Sequence, residues 1–312
     1  MLSVIFATHN GQKTLPEMFE CFAHVYQPPG GWQIIAVDNA STDRTSEILS
    51  VWREKLPMTV LECFTPGKNH ALNHAIESAS GDLFVFTDDD IRPDRRWLVK
   101  LWEAARDAKQ ADVFAGKILP KWPFQPPEWF LESVPLGVVY SITPRDIKEG
   151  FIPSNRVWGP NMAVRRSVFE KGWRFDGRVG PGPGQYLMGS ETELTGRLSA
   201  AGYRCWYQPR AIVEHIIDAK QMDLNWIVAR GYRAGKGAAM VGAEGTKEES
   251  TERVQRTALG VPLWRVRIFA ERWSKAKFSW LLGRERDWFE AAYSAKYQAG
   301  YIVQKIKSRG TR

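Results

Sequence analysis

The segment Gly81-Asp82-Leu83-Phe84-Val85-Phe86-Thr87-Asp88-Asp89-Asp90 decides the fold class of this chain. Its run of four apolar residues is typical of a strand that is buried on both faces, as in a parallel sheet. Three carboxylates follow at the carboxyl end of that strand, and they repel one another unless a cation shares them. Carboxylate oxygens suit Mg²⁺ or Mn²⁺, often together with a substrate phosphate. The segment also fits a solvated acidic turn, so its neighbours decide the interpretation.

Three further apolar segments alternate with helical patterns before the acidic segment. The predicted strands cover residues 3–7, 32–37 and 59–64, and each ends in polar or small residues. Strands that alternate with helices favour right-handed βαβ units and a parallel sheet. The polar ends of the strands then lie along one edge of the sheet, where ligands bind in open α/β folds. The sequence therefore predicts one binding site at this edge.

Polar motifs continue in a fixed order along residues 1–235. They are residues 7–10 (ATHN), 37–43 (VDNASTD), 67–73 (GKNHALN), 87–90 (TDDD), 158–166 (WGPNMAVRR), 189–194 (GSETEL) and 213–215 (VEH). This order resembles that of the family 2 glycosyltransferases with the GT-A fold. The resemblance implies an α/β fold with a Rossmann-like, mostly parallel central sheet that is flanked by helices. It also implies an inverting transfer of a sugar from a nucleotide-sugar donor, with Mn²⁺ or Mg²⁺ as the cofactor.

The same resemblance assigns roles to individual residues. The residues expected to bind the donor are Ala7, Thr8, Asn10, Asp38, Asn39, Lys68, Asn73, Asp88 and Asp89. The expected metal ligands are Asp88, Asp90 and His215, and the expected acceptor-binding residues are Trp158, Gly159 and Asn161.

Glu191 is the expected general base, because it takes the place of the aspartate that the family usually carries. Leu194 and Leu198 predict a helix whose first turn contains Glu191, where the helix dipole favours a carboxylate. An inverting transfer needs one base that deprotonates the acceptor hydroxyl during its attack on the anomeric carbon. Glu193 is the rival candidate for this role.

Changes of composition along the chain predict its domain organisation. Residues 1–235 are expected to form the glycosyltransferase domain, with a nucleotide-binding half in residues 1–121 and an acceptor-binding half in residues 122–235. The second half begins with a proline-rich stretch that favours loops and short elements. Residues 236–312 are expected to form a helical C-terminal extension.

Composition limits the environment of the chain. Its 312 residues carry a formal net charge of +8, which fits an anionic membrane, an anionic substrate or nucleic acid. Nucleic acid is the less favoured partner because no recognition motif accompanies the charge. The three cysteines are scattered and fit a reducing cytosol better than disulfides. Without an apolar run that could span a bilayer or a signal-peptide pattern, we expect a cytoplasmic protein, either free or peripheral on the inner face of the membrane.

The C-terminal segment 259–307 leaves two partners open. Basic residues alternate there with Trp, Phe and Leu at helical spacing, which is typical of an amphipathic helix on an anionic membrane surface. The same pattern fits helices that pack on the catalytic domain or on a second copy in a homodimer.

The predicted function is a non-processive transfer of one sugar, favoured to come from a UDP-sugar, to a glycan or lipid-linked acceptor hydroxyl. Arg272-Trp273 resembles the end of the motif that processive family members carry, but Phe269 stands where that motif has glutamine. The alternative is an inactive nucleotide-sugar-binding or scaffold protein on the same fold.

Overall fold

The buried strand Leu83–Phe86 lies near the middle of the main sheet. The structure is a computed structural model that describes residues 1–182, 186–241 and 257–310. The chain forms two compact units. The first unit comprises Met1–Lys121, Tyr140–Gln185 and Ser190–Ile217, and the second comprises Trp122–Val139, Tyr186–Gly189 and Asp218–Arg312. The domain boundaries expected at residues 121 and 235 remain predictions.

In the described residues, nine strands form the sheet of the first unit. They are β1 Leu2–Thr8, β2 Trp32–Asp38, β3 Met58–Glu62, β4 Leu83–Phe86, β5 Ile91–Pro93, β6 Val113–Lys121, β7 Gly150–Ile152, β8 Met162–Arg165 and β9 Cys205–Ile216. Their order is β3-β2-β1-β4-β8-β6-β9-β5, with β7 beside β9. The first four strands are parallel, and β8 runs antiparallel between β4 and β6. The predicted mostly parallel sheet is therefore confirmed.

The helices alternate with the strands from β1 to β4, as the periodicity predicts. They are α1 Leu15–Phe22, α2 Thr45–Trp52, α3 Lys68–Ser78, α4 Trp97–Asp107, α5 Glu128–Ser133, α6 Leu136–Tyr140, α7 Arg166–Glu170, α8 Ser190–Ala200, α9 Leu224–Val241, α10 Leu263–Leu281 and α11 Glu285–Gly310. Two short strands, β10 Thr257–Ala258 and β11 Val261–Pro262, pair before α10.

One face of the sheet is covered by α3 and α8. Leu72 of α3, Leu194 and Leu198 of α8 and Phe86 of β4 belong to one buried cluster. Burial of each large aliphatic side chain contributes about 1.5–3 kcal/mol, so this cluster holds both helices firmly against the strands. The first turns of α3 and α8 are thereby fixed relative to the acidic turn that follows β4.

The strand β5 is short and was not predicted, because three residues carry no readable periodicity. It pairs antiparallel with β9, and Ile91 lies opposite His215. This pairing places the end of the acidic turn beside a histidine that lies far away in the sequence.

The second unit is built around α11, which packs against α5, α9 and α10. Glycines allow a close approach of α9 and α11, since a Cβ on Gly235 would lie 1.9 Å from the carbonyl oxygen of Tyr297. Part of the predicted C-terminal extension, residues 242–256, lies outside the described residues. Among the helices that are described, none has the length and apolar character needed to cross a bilayer.

Candidate active site

Lys68 joins the acidic turn to the predicted general base. Its Nζ lies 2.6 Å from Asp88 Oδ1 and 2.9 Å from Glu191 Oε1. Lys68 begins α3, Asp88 follows β4 and Glu191 lies in the first turn of α8, so three chain segments meet here. Burial opposes the charged form of Lys68, but the two carboxylates outweigh it and raise the pKa of the ammonium group. The lysine is therefore charged and neutralises part of the charge of both acids.

His215 pairs with the last carboxylate of the acidic turn. Its Nε2 lies 3.2 Å from Asp90 Oδ2, and its Nδ1 lies 2.6 Å from the carbonyl oxygen of Tyr140. Burial alone would lower the pKa of His215, but the Asp90 carboxylate raises it to about 9. The ring is fixed at both nitrogens, so its orientation is set before any ligand arrives.

The carboxylate of Asp89 faces Thr8 at the end of β1, whereas Asp88 and Asp90 face Lys68 and His215. The Thr8 hydroxyl donates a hydrogen bond of 2.5 Å to Asp89 Oδ2. A Cβ on Gly11 would lie 2.3 Å from Thr8 Oγ1 and 3.0 Å from Asp89 Oδ2, so only glycine fits this turn without displacing them. Burial, followed by the nearby Asp90 charge, raises the pKa of Asp89 to about 7.

The carboxylate of Glu191 fills the space beside Gly159. A Cβ at that position would lie 2.2 Å from Glu191 Oε1, so the backbone and the carboxylate are in close contact. The turn that contains Gly159 is held to the end of β4, because the Thr87 hydroxyl donates a 2.8 Å hydrogen bond to the carbonyl oxygen of Pro160. Gly159, a predicted acceptor-binding residue, therefore lies beside Glu191, the predicted general base.

Loops that follow β1 and β2 form the predicted donor side of the site. Asp38 ends β2, is 9% exposed and accepts a 3.0 Å hydrogen bond from the backbone N–H of Ser41. Asn10 accepts a 2.8 Å hydrogen bond from the backbone N–H of Thr42. Asn10 and Ala40 both have a φ of 59°, a left-handed conformation that costs an L-residue such as alanine about 1–2 kcal/mol. The two loops are locked together in a strained conformation at the strand ends.

Other predicted donor residues make their hydrogen bonds within the chain. Asn39 donates from Nδ2 to two backbone carbonyls in residues 63–65, at 2.8 and 2.9 Å. Asn73 exchanges two hydrogen bonds with the backbone of Phe175. Ala7 is half-buried next to Thr8 in β1. Direct donor contacts by Asn39, Asn73 and Ala7 remain predictions.

The predicted acceptor residues differ in their surroundings. Asn161 is fully buried, accepts from Trp97 Nε1 at 2.8 Å and donates to the carbonyl oxygens of Lys117 and Ala211. These hydrogen bonds connect β6 and β9 to α4 through the Asn161 amide. Trp158 is half-buried next to the turn, and acceptor contacts by either residue remain predictions.

Asp90 and His215 have the chemistry of a divalent-cation site. Asp90 Oδ1 is buried and has no hydrogen-bond partner among the described residues, which is costly for a carboxylate oxygen unless a ligand binds there. Carboxylate oxygens and an imidazole nitrogen suit Mn²⁺. Within the parts of the chain that the structure describes, however, no group of three or more His, Cys, Asp or Glu side chains is arranged to hold a metal ion.

The sequence has relatives in a known protein family. It matches Glycosyl transferase family 2 over residues 3–173, which is more than half of the chain. The chain belongs to this family. Two relatives are the probable glycosyltransferase YdaM of Bacillus subtilis, 24% identical over 235 residues, and glycosyltransferase AglE of Haloferax volcanii, 25% identical over 244 residues. The match to YdaM covers 68% of this chain but only 49% of YdaM. The match to AglE covers 77% of this chain and 73% of AglE.

Solved structures of GT-A glycosyltransferases share this fold. The mannosyltransferase PcManGT from Pyrobaculum calidifontis, in complex with GDP-Man and Mn²⁺, superposes with a TM-score of 0.63 at 17% identity, over 96% of this chain and 86% of its own. Residues 1–349 of TarS from S. aureus superpose with a TM-score of 0.55 at 16% identity, over 100% of this chain and 92% of that one. These similarities establish the predicted fold.

Two features of this family 2 site were not predicted from the sequence. For the contact of Gly11 with Thr8 and Asp89, the sequence contains one indication, the Asn-Gly pair at residues 10–11, which is typical of a turn. For the ion pair of Lys68 with Glu191 the sequence contains no indication, because Glu191 lies 123 residues further along the chain.

Asp89→Asn is expected to stabilise the donor-free and cation-free protein at pH 8. The folded carboxyl keeps its proton up to about pH 7, whereas the unfolded chain releases it near about pH 4. Stability is therefore lost as the pH rises through this range, and the neutral amide should recover about 1–3 kcal/mol. Denaturant unfolding in chelator between pH 5 and pH 8 measures this, with the exposed Asp146→Asn as the control. A lower stability of Asp89→Asn at pH 8 would contradict the account.

Proposed function

We propose that this family 2 chain is an inverting, non-processive glycosyltransferase that moves one sugar from a UDP-sugar to a hydroxyl of a glycan or lipid-linked acceptor. The observation that carries the proposal is the double ion pair of Lys68, which joins a donor-side acid to a carboxylate in a helix first turn. The choice of UDP is supported by TarS, whose fold this chain shares and which has been solved with UDP and with UDP-GlcNAc.

Glu191 acts as the general base in this proposal. Its carboxylate takes the proton of the acceptor hydroxyl while the acceptor oxygen bonds to the anomeric carbon. The bond between that carbon and the diphosphate oxygen breaks on the opposite side, so the configuration inverts. Lys68 orients the carboxylate through their 2.9 Å ion pair, and Gly159 leaves the space that this orientation needs.

Asp38, Asp88 and Asp90 serve the donor. Asp38 accepts a hydrogen bond from the nucleobase, and Asp88 lies where the ribose and diphosphate bind. Asp90 and His215, with Asp88, would hold Mn²⁺ or Mg²⁺, and the unpartnered Asp90 Oδ1 supports this placement. The cation would supply positive charge that stabilises the departing diphosphate.

Asp38→Ala is expected to weaken UDP binding by about tenfold or more, because a base-edge hydrogen bond left unpaired costs about 1–3 kcal/mol. Asp90→Asn is expected to remove the dependence of UDP affinity on Mn²⁺. Calorimetric titration of UDP with and without Mn²⁺ measures both effects. Glu62→Ala is the control, since Glu62 pairs with Asp38 across the strands but is exposed. Wild-type affinity in Asp38→Ala would refute its assignment.

Glu191→Gln is expected to lower sugar transfer by at least about 10²-fold, the contribution typical of a general base, while UDP affinity changes little. Release of UDP from a panel of UDP-sugars, with water or a sugar as the acceptor, provides the rate. Glu193→Gln is the matched control, because Glu193 lies in the same turn and pairs with Arg197. The opposite ranking of the two variants would assign the base to Glu193.

The inactive alternative has its own signature in the same experiment. A wild-type protein that binds UDP but releases none from any donor, with or without Mn²⁺, would be a nucleotide-sugar-binding protein.

Gly159→Ala is expected to lower transfer by about 10- to 100-fold, because an added Cβ pushes the Glu191 carboxylate away from Lys68 and small misplacements are costly. The carboxylate is the flexible end of its side chain, so the free energy of unfolding should fall by less than about 1 kcal/mol. Gly196→Ala, in the helix of Glu191, is the control because a Cβ there meets nothing within 4 Å. Equal rates in the two variants would show that the Glu191 position does not matter.

A further inference from the structure

The helix α10 packs on α11 with only one of its faces. Ala276 and Ser279 are its buried residues, and Arg265 donates a hydrogen bond of 2.9 Å to Gln298 of α11. With 3.6 residues per turn, the positions on the sides away from Ala276 and Ser279 include several large apolar residues. These form the outer strip of α10, defined as Leu263, Val266, Trp273, Phe278 and Leu281.

The outer strip is unusual because its residues are exposed together. Phe278 is 61% exposed and Leu281 is 73% exposed, and the neighbouring Trp280 and Leu282 are exposed at 70% and 50%. Single exposed apolar residues are normal on protein surfaces, but Phe278, Trp280, Leu281 and Leu282 are all exposed within five consecutive positions, and such a concentration is typical of an interaction surface. An amphipathic helix ordinarily packs its apolar side against the core, whereas α10 also exposes large apolar side chains to solvent.

Positive charge accompanies the outer strip. The helix α10 carries one acidic residue, Glu271, and five basic residues, of which Arg265 contacts α11 and the other four (Arg267, Arg272, Lys275 and Lys277) are exposed. Glu271 pairs with Arg267, and among the described residues Arg272 and Lys277 have no acidic partner. Where the strip ends, an open cavity of about 360 Å³ is lined by Asn225, Trp280, Gly283, Arg284, Glu285 and Trp288, so the guanidinium of Arg284 and the carboxylate of Glu285 both line it.

We propose that the outer strip and the exposed basic residues of α10 bind the surface of an anionic lipid bilayer. Exposed Trp, Phe and Leu enter the boundary between headgroups and acyl chains, and the long basic side chains reach the anionic headgroups. A second copy of the chain fits less well, because protein interface cores are depleted of charged residues and two copies would bring like charges together. This proposal is independent of the sugar-transfer activity.

Vesicle flotation of the full-length protein tests the proposal. The wild-type chain should float with vesicles of phosphatidylcholine and phosphatidylglycerol at 0.1 M salt, and far less with pure phosphatidylcholine or at 1 M salt, where charge is screened. The double variant Phe278→Ser/Leu281→Ser should partition at least about tenfold less, since each side chain gains by burial in the membrane boundary.

Tyr26→Ser/Val51→Ser is the matched control. It removes one aromatic and one aliphatic side chain that are 53% and 56% exposed in the first unit, and it should float like the wild type. Thermal unfolding of both double variants shows that each is folded. Absence of wild-type flotation with anionic vesicles, or equal flotation of the two double variants, would overturn the proposal. A dimer in sedimentation that dissociates only in Phe278→Ser/Leu281→Ser, without vesicle binding, would assign the strip to a second copy instead.

Discussion

Repulsion among three carboxylates at the end of one buried strand is the constraint on which the site depends. Each carboxylate of the acidic turn, residues 88–90, faces a partner from a different part of the chain. These partners are Lys68, Thr8 and His215, which come from a helix start and from the ends of two strands. The parallel sheet brings such ends to one edge, so the fold solves the electrostatic problem with groups that are held by its core.

Close packing around these charges leaves no room for a side chain at two backbone positions. Gly11 and Gly159 lie where any side chain would displace Thr8, Asp89 or Glu191. Ala40 occupies a left-handed conformation that alanine disfavours. Strain and raised acid pKa values both lower the stability of the ligand-free protein, and their concentration at one sheet edge is typical of a site kept for function rather than for stability.

Much of the framework was predictable from local patterns. The apolar run of β4 and the alternation of strands and helices indicated the parallel sheet, and the spacing of Leu194 and Leu198 placed Glu191 in a helix first turn. The strand β5 was missed because its three residues are ordered by pairing with β9, which is a non-local interaction. For the same reason, the order of motifs could name Lys68 and Glu191 separately but could not show that they touch.

The hydrogen bonds of Asn161 have a consequence for how this protein can diversify. Its amide joins Trp97 of α4 to the backbone of Lys117 and Ala211, so the turn beside the proposed base is continuous with the core. A substitution there would disturb three secondary-structure elements at once. Sequences that evolve towards a new acceptor are therefore freer to change in the proline-rich stretch between residues 122 and 153 than in the turn of residues 159–161.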